Sequence, residues 1–112
     1  MDAIFIELPA FERFRKDYLD DESFRELQTA MMSDPAAGDV IKGTGGLRKL
    51  RWVDQRRNKG KRGGLRIIYY YWIHGSEFWL FTLYDKDEST DLSARERAQL
   101  EAMLRTELTA RT

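Results

Sequence analysis

A chain of 112 residues, 42% hydrophobic and 12% aromatic, suits one domain with a single core and excludes extensive disorder. It has no cysteine, which excludes disulfides and thiolate zinc sites, and a single His, which excludes Ser–His and paired-His catalysis. Nineteen acids balance nineteen bases, so any charged face must come from segregation rather than from excess.

The chain opens Met-Asp-Ala-Ile-Phe-Ile-Glu, with no basic region followed by a long apolar run. It is not read as a signal peptide, and no stretch is long enough to cross a bilayer. The expectation is a soluble, cytoplasmic protein. Residues 3 to 8 are apolar and β-branched, which predicts a strand buried on both faces. Pro9 then suits the first turn of a helix. Phe11, Phe14, Tyr18 and Leu19 give that helix an aromatic core stripe. Asp20 and Asp21 can cap a second helix, with Phe24, Leu27 and Met31 on its buried side, and Asp34-Pro35 ends it. The two helices form a hairpin.

Val40-Ile41 reads as a short strand or bridge, and Gly43, Gly45 and Gly46 mark a tight turn. Residues 47 to 52 alternate: Leu47, Lys49 and Arg51 share one face, Arg48, Leu50 and Trp52 the other. Residues 54 to 64 form a polar loop, expected to be mobile at its tip. Residues 65 to 74 make the longest β-type run, a central strand, and Gly75-Ser76 turns it into a second aromatic strand over residues 77 to 84. A polar loop over residues 85 to 91 leads to a capping box at Ser93-Ala94-Arg95-Glu96. Leu100, Met103, Leu104 and Leu108 form the stripe of a last helix. The expected fold is α+β: a small antiparallel sheet with two N-terminal helices and a C-terminal helix.

Charge is segregated. Ten of the 19 Lys and Arg residues fall between Lys42 and Arg66, with only Asp54 opposing them. Such a face attracts phosphate backbones or an acidic protein, or simply solvates a hairpin loop.

This segment also carries a family likeness. Gly-Thr-Gly-Gly-Leu-Arg-Lys-Leu-Arg from Gly43, a basic loop, then Lys-Arg-Gly-Gly-Leu-Arg-Ile-Ile-Tyr-Tyr resembles the RelE/HigB-type toxins of bacterial type II toxin–antitoxin modules. The likeness is to the HigB branch with the Gly-Thr-Gly-Gly-Leu-Arg-Lys signature, and it extends to Leu-Tyr-Asp-Lys-Asp-Glu at 83 to 88 and to Asp91-Leu92-Ser93 before the last helix. The resemblance implies a RelE-like fold and ribosome-dependent cleavage of messenger RNA in the A site. The RNA's own 2′-hydroxyl attacks the adjacent phosphate, with no metal or cofactor. It implies three partners: the ribosome, the message and a cognate antitoxin. The free toxin is expected to be a monomer, with no membrane association.

Such chemistry needs a base, cations for the phosphorane charge and a proton for the leaving oxygen. Lys49 and Arg51 project from one strand face about 7 Å apart. In the family pattern they and Arg66 match the strand cations of the active site, with Lys49 as base or electrostatic stabiliser, Arg66 holding the phosphate and Arg51 assisting. The competing reading for Arg66 is a structural salt bridge with Asp85. Lys86 fits the family's basic position after the last strand, but Asp87 replaces the next cation, and Leu92 and Ser93 stand where the family has a tyrosine. The general acid is therefore open, with Tyr84 or Lys86 as candidates. Arg48, Arg56, Arg57, Lys59, Lys61 and Arg62 are expected to contact RNA phosphates. The altered positions keep a second function open: a non-catalytic relative that binds ribosome, RNA or an acidic protein and acts by occupancy.

Overall fold

The computed structural model describes residues 2–87 and 91–111. Its α+β architecture follows the expected order of elements: β1 (Ile4–Glu7), α1 (Pro9–Tyr18), α2 (Asp21–Ser33), β2 (Asp39–Val40), β3 (Arg48–Trp52), β4 (Leu65–Trp72), β5 (Glu77–Asp85) and α3 (Ala94–Arg111). Five strands form one sheet in the order β1-β5-β4-β3-β2. The long aromatic run is the central strand, as its composition requires. Of the loop expected over residues 85 to 91, and of the family match at 83 to 88, positions 88–90 lie outside the described residues.

Pairing corrects one expectation. Strands β2 to β5 are antiparallel neighbours, but β1 joins β5 in parallel, so the sheet is mixed. The helical hairpin that follows β1 carries the chain over one face of the sheet, and β1 is left as an edge strand. Phe5 stacks on Phe78 at 4.8 Å and Ile6 packs into the opposite core, yet Ile4 at the open edge is 58% exposed.

The two faces have separate cores. Phe11, Phe24, Leu27 and Met31 from α1 and α2 cover Trp52, Leu65, Ile67, Tyr69, Phe78 and Leu80. On the other face, Leu92 and the α3 residues Leu100 and Leu104 cover Leu47, Ile68, Trp79 and Phe81. The alternation read over residues 47 to 52 is therefore correct: Leu47 belongs to the α3 side and Trp52 to the α1–α2 side. A register shift at Ile68/Tyr69 lets Leu80 and Leu83 both face α1–α2, with Phe81 on the α3 side.

Local signals behave as their chemistry dictates. Asp20 caps α2 by accepting from Ser23 N at 2.8 Å, and Ser93 and Glu96 exchange the two capping-box hydrogen bonds. In the glycine turn, Gly43, Gly45 and Gly46 all have positive φ, where a Cβ is strained, and buried Thr44 closes the turn through Ile41 O and Leu47 N. Two stripe residues point outward instead of inward. Phe14 is 40% exposed because the Arg15 guanidinium takes the covering place, 4.7 Å above the Phe24 ring. Met103 is 37% exposed at the rim of a cleft beside α3. No helix among the described residues is long and apolar enough to cross a membrane.

Candidate nucleic-acid interface

Strand register brings the predicted strand residues together. Arg51 stands opposite Arg66, and Arg66 opposite Tyr84, across β3, β4 and β5. Directly opposed residues on one face lie about 4.5–5.5 Å apart at Cβ. The next row on the same face is Lys49, Ile68 and Thr82. Lys49, Arg51 and Arg66 thus form a patch on the α3 face, and Tyr84, next to Arg66 in the row, packs against the core that Leu92 and α3 cover. Two arginines placed opposite one another repel, so this row costs stability and marks the patch as more than a packing solution.

The members differ in environment. Arg51 is exposed, whereas Arg66 is only 5% exposed. Burial, then the like charge of Arg51, push the Arg66 guanidinium below the ordinary arginine value. Arg66 makes no pair with Asp85. It donates to three backbone carbonyls, Lys61 O at 3.2 Å, Leu65 O at 3.2 Å and Arg62 O at 2.9 Å. It therefore ties the basic loop to the sheet. Lys49 Nζ meets Asp91 Oδ1 at 3.5 Å. The Tyr84 hydroxyl is buried without a hydrogen-bond partner among the described residues. Burial, with Asp91 adding to it, raises its pKa, against the opposing pull of Arg66. The hydroxyl thus stays protonated through neutral pH, beside a guanidinium. Lys86 follows β5 two residues beyond Tyr84, its backbone N–H bonded to Gly64 O at 3.1 Å.

The loop after β3 departs furthest from a simple cationic tip. Asp54 is fully buried and organises it. It exchanges backbone hydrogen bonds with Lys59, and Gln55–Arg57 form a 3₁₀ turn between them. Its carboxylate accepts Arg56 Nε at 3.0 Å, Arg56 Nη2 at 2.8 Å and Arg57 Nε at 2.6 Å. Burial pushes Asp54 up, but the Arg56 and Arg57 hydrogen bonds outweigh it and hold the carboxyl below its usual value. Asp85, on the neighbouring strand end, takes Arg56 at 3.3 Å and Arg57 at 3.9 Å, and Arg57 also pairs with Asp87. Arg56 further lies 4.5 Å over the Tyr18 ring. Gly64 seals the loop: a Cβ there would sit 2.2 Å from Trp52 O.

Six loop and strand cations were expected to face RNA, and the structure divides them. Arg56 and Arg57 are committed to acids of the protein itself, which the sequence could show only as an excess of bases. Arg48 lies on the opposite face from Lys49 and donates to Gly38 O at 2.7 Å and Ala36 O at 3.3 Å, fastening the connector before β2. Lys61 lies 5.3 Å over the Trp52 ring and remains exposed, as do Lys59 and Arg62. These last three are exposed and form no ion pair among the described residues, unlike Arg56, which is exposed but paired.

Two further cations reach the patch from outside the strands. A cleft of about 660 Å³ beside Lys49 and Arg51 is also lined by Lys42 from the glycine turn and Arg97 from α3, with Asp39 and Asp91 as its acids. Lys42 and Arg97 are 55 positions apart, and nothing in their spacing announces the meeting. No protein-family model matches this chain.

Proposed function

We propose that this protein is a ribosome-dependent endoribonuclease, a toxin that cleaves messenger RNA in the A site and is neutralised by a cognate antitoxin. The observation that carries the reading is the cross-strand row Arg51–Arg66–Tyr84 with Lys49 beside it on the same face. The likeness of the Gly43–Tyr70 segment to RelE/HigB-type toxins points the same way.

On this reading the 2′-hydroxyl gives its proton to solvent water as its oxygen attacks phosphorus, and the bond to the 5′-oxygen breaks, leaving a cyclic phosphate and a 5′-hydroxyl whose proton comes from the protein's acid, which solvent then reprotonates. Exposed Arg51 and half-buried Lys49 hold the charge that develops on the phosphorane. Lys49 is assigned this electrostatic role because its ammonium already faces a carboxylate, Asp91, whose place a phosphate oxygen takes. Tyr84 supplies the proton to the leaving 5′-oxygen: its hydroxyl is protonated, stands beside Arg66 and has no hydrogen-bond partner among the described residues. Arg66 works from behind, adding positive charge and fixing the loop through three carbonyls. Lys59, Lys61 and Arg62 contact ribosomal or messenger phosphates.

The test is to read message ends after expression of the wild type, Arg51→Ala and Tyr84→Phe. Wild type leaves codon-positioned breaks. Tyr84→Phe lowers single-turnover cleavage of ribosome-bound message by about 10²-fold or more if it is the proton donor. Arg51→Ala lowers it by about 10²–10³-fold. Undiminished cleavage in both folded variants refutes the assignment. The occupancy reading draws support from one observation, the commitment of the Arg66 guanidinium to backbone carbonyls instead of open solvent. It expects translation to stop without any broken message.

A further inference from the structure

We infer that Lys42 and Arg97 form a second phosphate-binding subsite, so that single-stranded RNA is held along the length of β3 and not at one point. This rests on the RNA-binding reading above and extends it to residues of two other elements. The loop that carries Lys59, Lys61 and Arg62 leaves the Trp52 end of β3, with Lys61 over the Trp52 ring on the α1–α2 side. Arg51 and Lys49 follow along the strand, about 7 Å apart. The cleft beside them then adds Lys42 and Arg97 at the far end.

The cleft has the character an anion needs. Among the described residues four of its side chains are cations and two are carboxylates, Asp39 and Asp91. The Asp91 charge is already engaged by Leu92 N at 2.8 Å and by Lys49, and it lies low on the acid scale because of that backbone hydrogen bond first. Arg97 is held in place by one hydrogen bond, from Nη1 to Leu92 O at 2.8 Å. That bond fixes the side chain at the cleft wall. Lys42 is exposed and stands next to Gly43, whose positive φ bends the turn and which has open space where a Cβ would be. A backbone wall without side-chain cover lets a phosphate approach closely. A volume of about 660 Å³ has room for more than a single ion. A polyanion with regularly spaced charges matches cations arranged in a line better than a folded acidic surface does.

The assay is the salt dependence of binding to a short oligouridylate. For single strands each phosphate contact contributes about −0.7 to the slope of log K against log salt. Lys42→Ala combined with Arg97→Gln should make the slope shallower by about 1.4, and Lys42→Ala alone by about 0.7. Arg97→Lys should restore most of the Arg97 share, which a purely structural loss at the Leu92 contact would not do. Arg13→Ala with Arg25→Ala removes the same charge from exposed positions on α1 and α2 and should leave the slope unchanged. A wild-type slope in Lys42→Ala/Arg97→Gln overturns the subsite while leaving RNA binding intact. A wild type that shows no salt-dependent RNA binding overturns the RNA reading itself. If that double variant loses polyglutamate binding but keeps its RNA slope, the cleft is a site for an acidic protein and the inference falls.

Discussion

Replacing Asp54 by Ala should destabilise this protein more than replacing any exposed cation of its basic segment. The carboxylate is fully buried and accepts three charge-assisted hydrogen bonds, from Arg56 Nε, Arg56 Nη2 and Arg57 Nε. Breaking a buried ion pair by removing one partner costs about 3–5 kcal/mol, because the remaining charge is left uncompensated. Here the orphaned guanidinia keep Asp85, and Arg57 keeps Asp87. Their side chains are also 38% and 23% exposed, so water reaches them. The expected cost therefore falls to about 2–3 kcal/mol. For a chain this long the unfolding entropy is about 0.24 kcal/mol/K, so the melting temperature should drop by about 8–12 °C. Asp54→Asn retains an acceptor of the same shape and should lose roughly half as much. Calorimetry checks both. Asp54→Ala melting within about 2 °C of wild type would mean that the loop is held by Arg66 and Gly64 alone, and that the buried carboxylate contributes little.

Other consequences follow from the same groups. Asp54, Asp20, Asp21 and Asp91 are all held below the usual carboxylate value in the folded state, by Arg56 and Arg57 against burial at Asp54, Ser23 N–H, Arg15 and Leu92 N–H respectively. Their stabilisation is complete above the unfolded value of about 4 and is lost as pH falls through their folded values, so chemical-denaturation midpoints should be flat near neutrality and fall steeply below about pH 4. Two buried tyrosines should respond oppositely to loss of the hydroxyl. Tyr69→Phe removes a donor to Pro35 O and leaves Gly38 N–H without an acceptor, a loss of about 1–3 kcal/mol, whereas Tyr84→Phe should be neutral or stabilising by about 1 kcal/mol. Equal losses at the two positions would show that Tyr84 has a partner. Gly64→Ala must displace both Trp52 O and the Gly60 carbonyl, and should cost about 1–3 kcal/mol in thermal melts and weaken RNA binding together with it.

Elements and faces were legible where the signal is local. Alternation over residues 47 to 52, the glycine turn, the Asp20 cap and the Ser93–Glu96 box depend on neighbours within a few positions, and each stands where the sequence places it. The parallel pairing of β1 was not legible, because a four-residue apolar strand carries no information about direction. Nor was the outward turn of Phe14, since an arginine stacked on Phe24 satisfies the same helical position as an apolar residue does. The candidate site divides in the same way. Arg51, Arg66 and Tyr84 meet because β3, β4 and β5 are consecutive, and register follows from their hydrophobic pattern. Arg56 and Arg57 look identical in sequence to Lys59 and Arg62, and what separates the two pairs is the burial of Asp54 beneath the first pair, with Asp85, nearly thirty residues away, beside it. Arg97 gave no signal at all, being one more charged residue on a charged helix.

A net charge of zero is the key to how these cations are sorted. If the acids were spread evenly, every basic residue would find a partner and no face would attract phosphate. Instead Asp54 and Asp85 lie on the inner side of the loop, face Arg56 and Arg57 and build a rigid base, with exposed Asp87 also pairing with Arg57. Arg66 then fixes the carbonyls of Lys61 and Arg62, whose side chains remain exposed. Rigidity matters because a side chain that must be ordered on binding loses about 0.5–1.5 kcal/mol of the contact it makes. The inner arginines therefore serve the outer cations by position, and substituting an inner arginine should alter binding through loop order and not through lost phosphate contacts. That is why the number of basic residues in the segment overstates the number of contacts, and why the slope against salt, more than the affinity, measures how many cations an RNA strand meets.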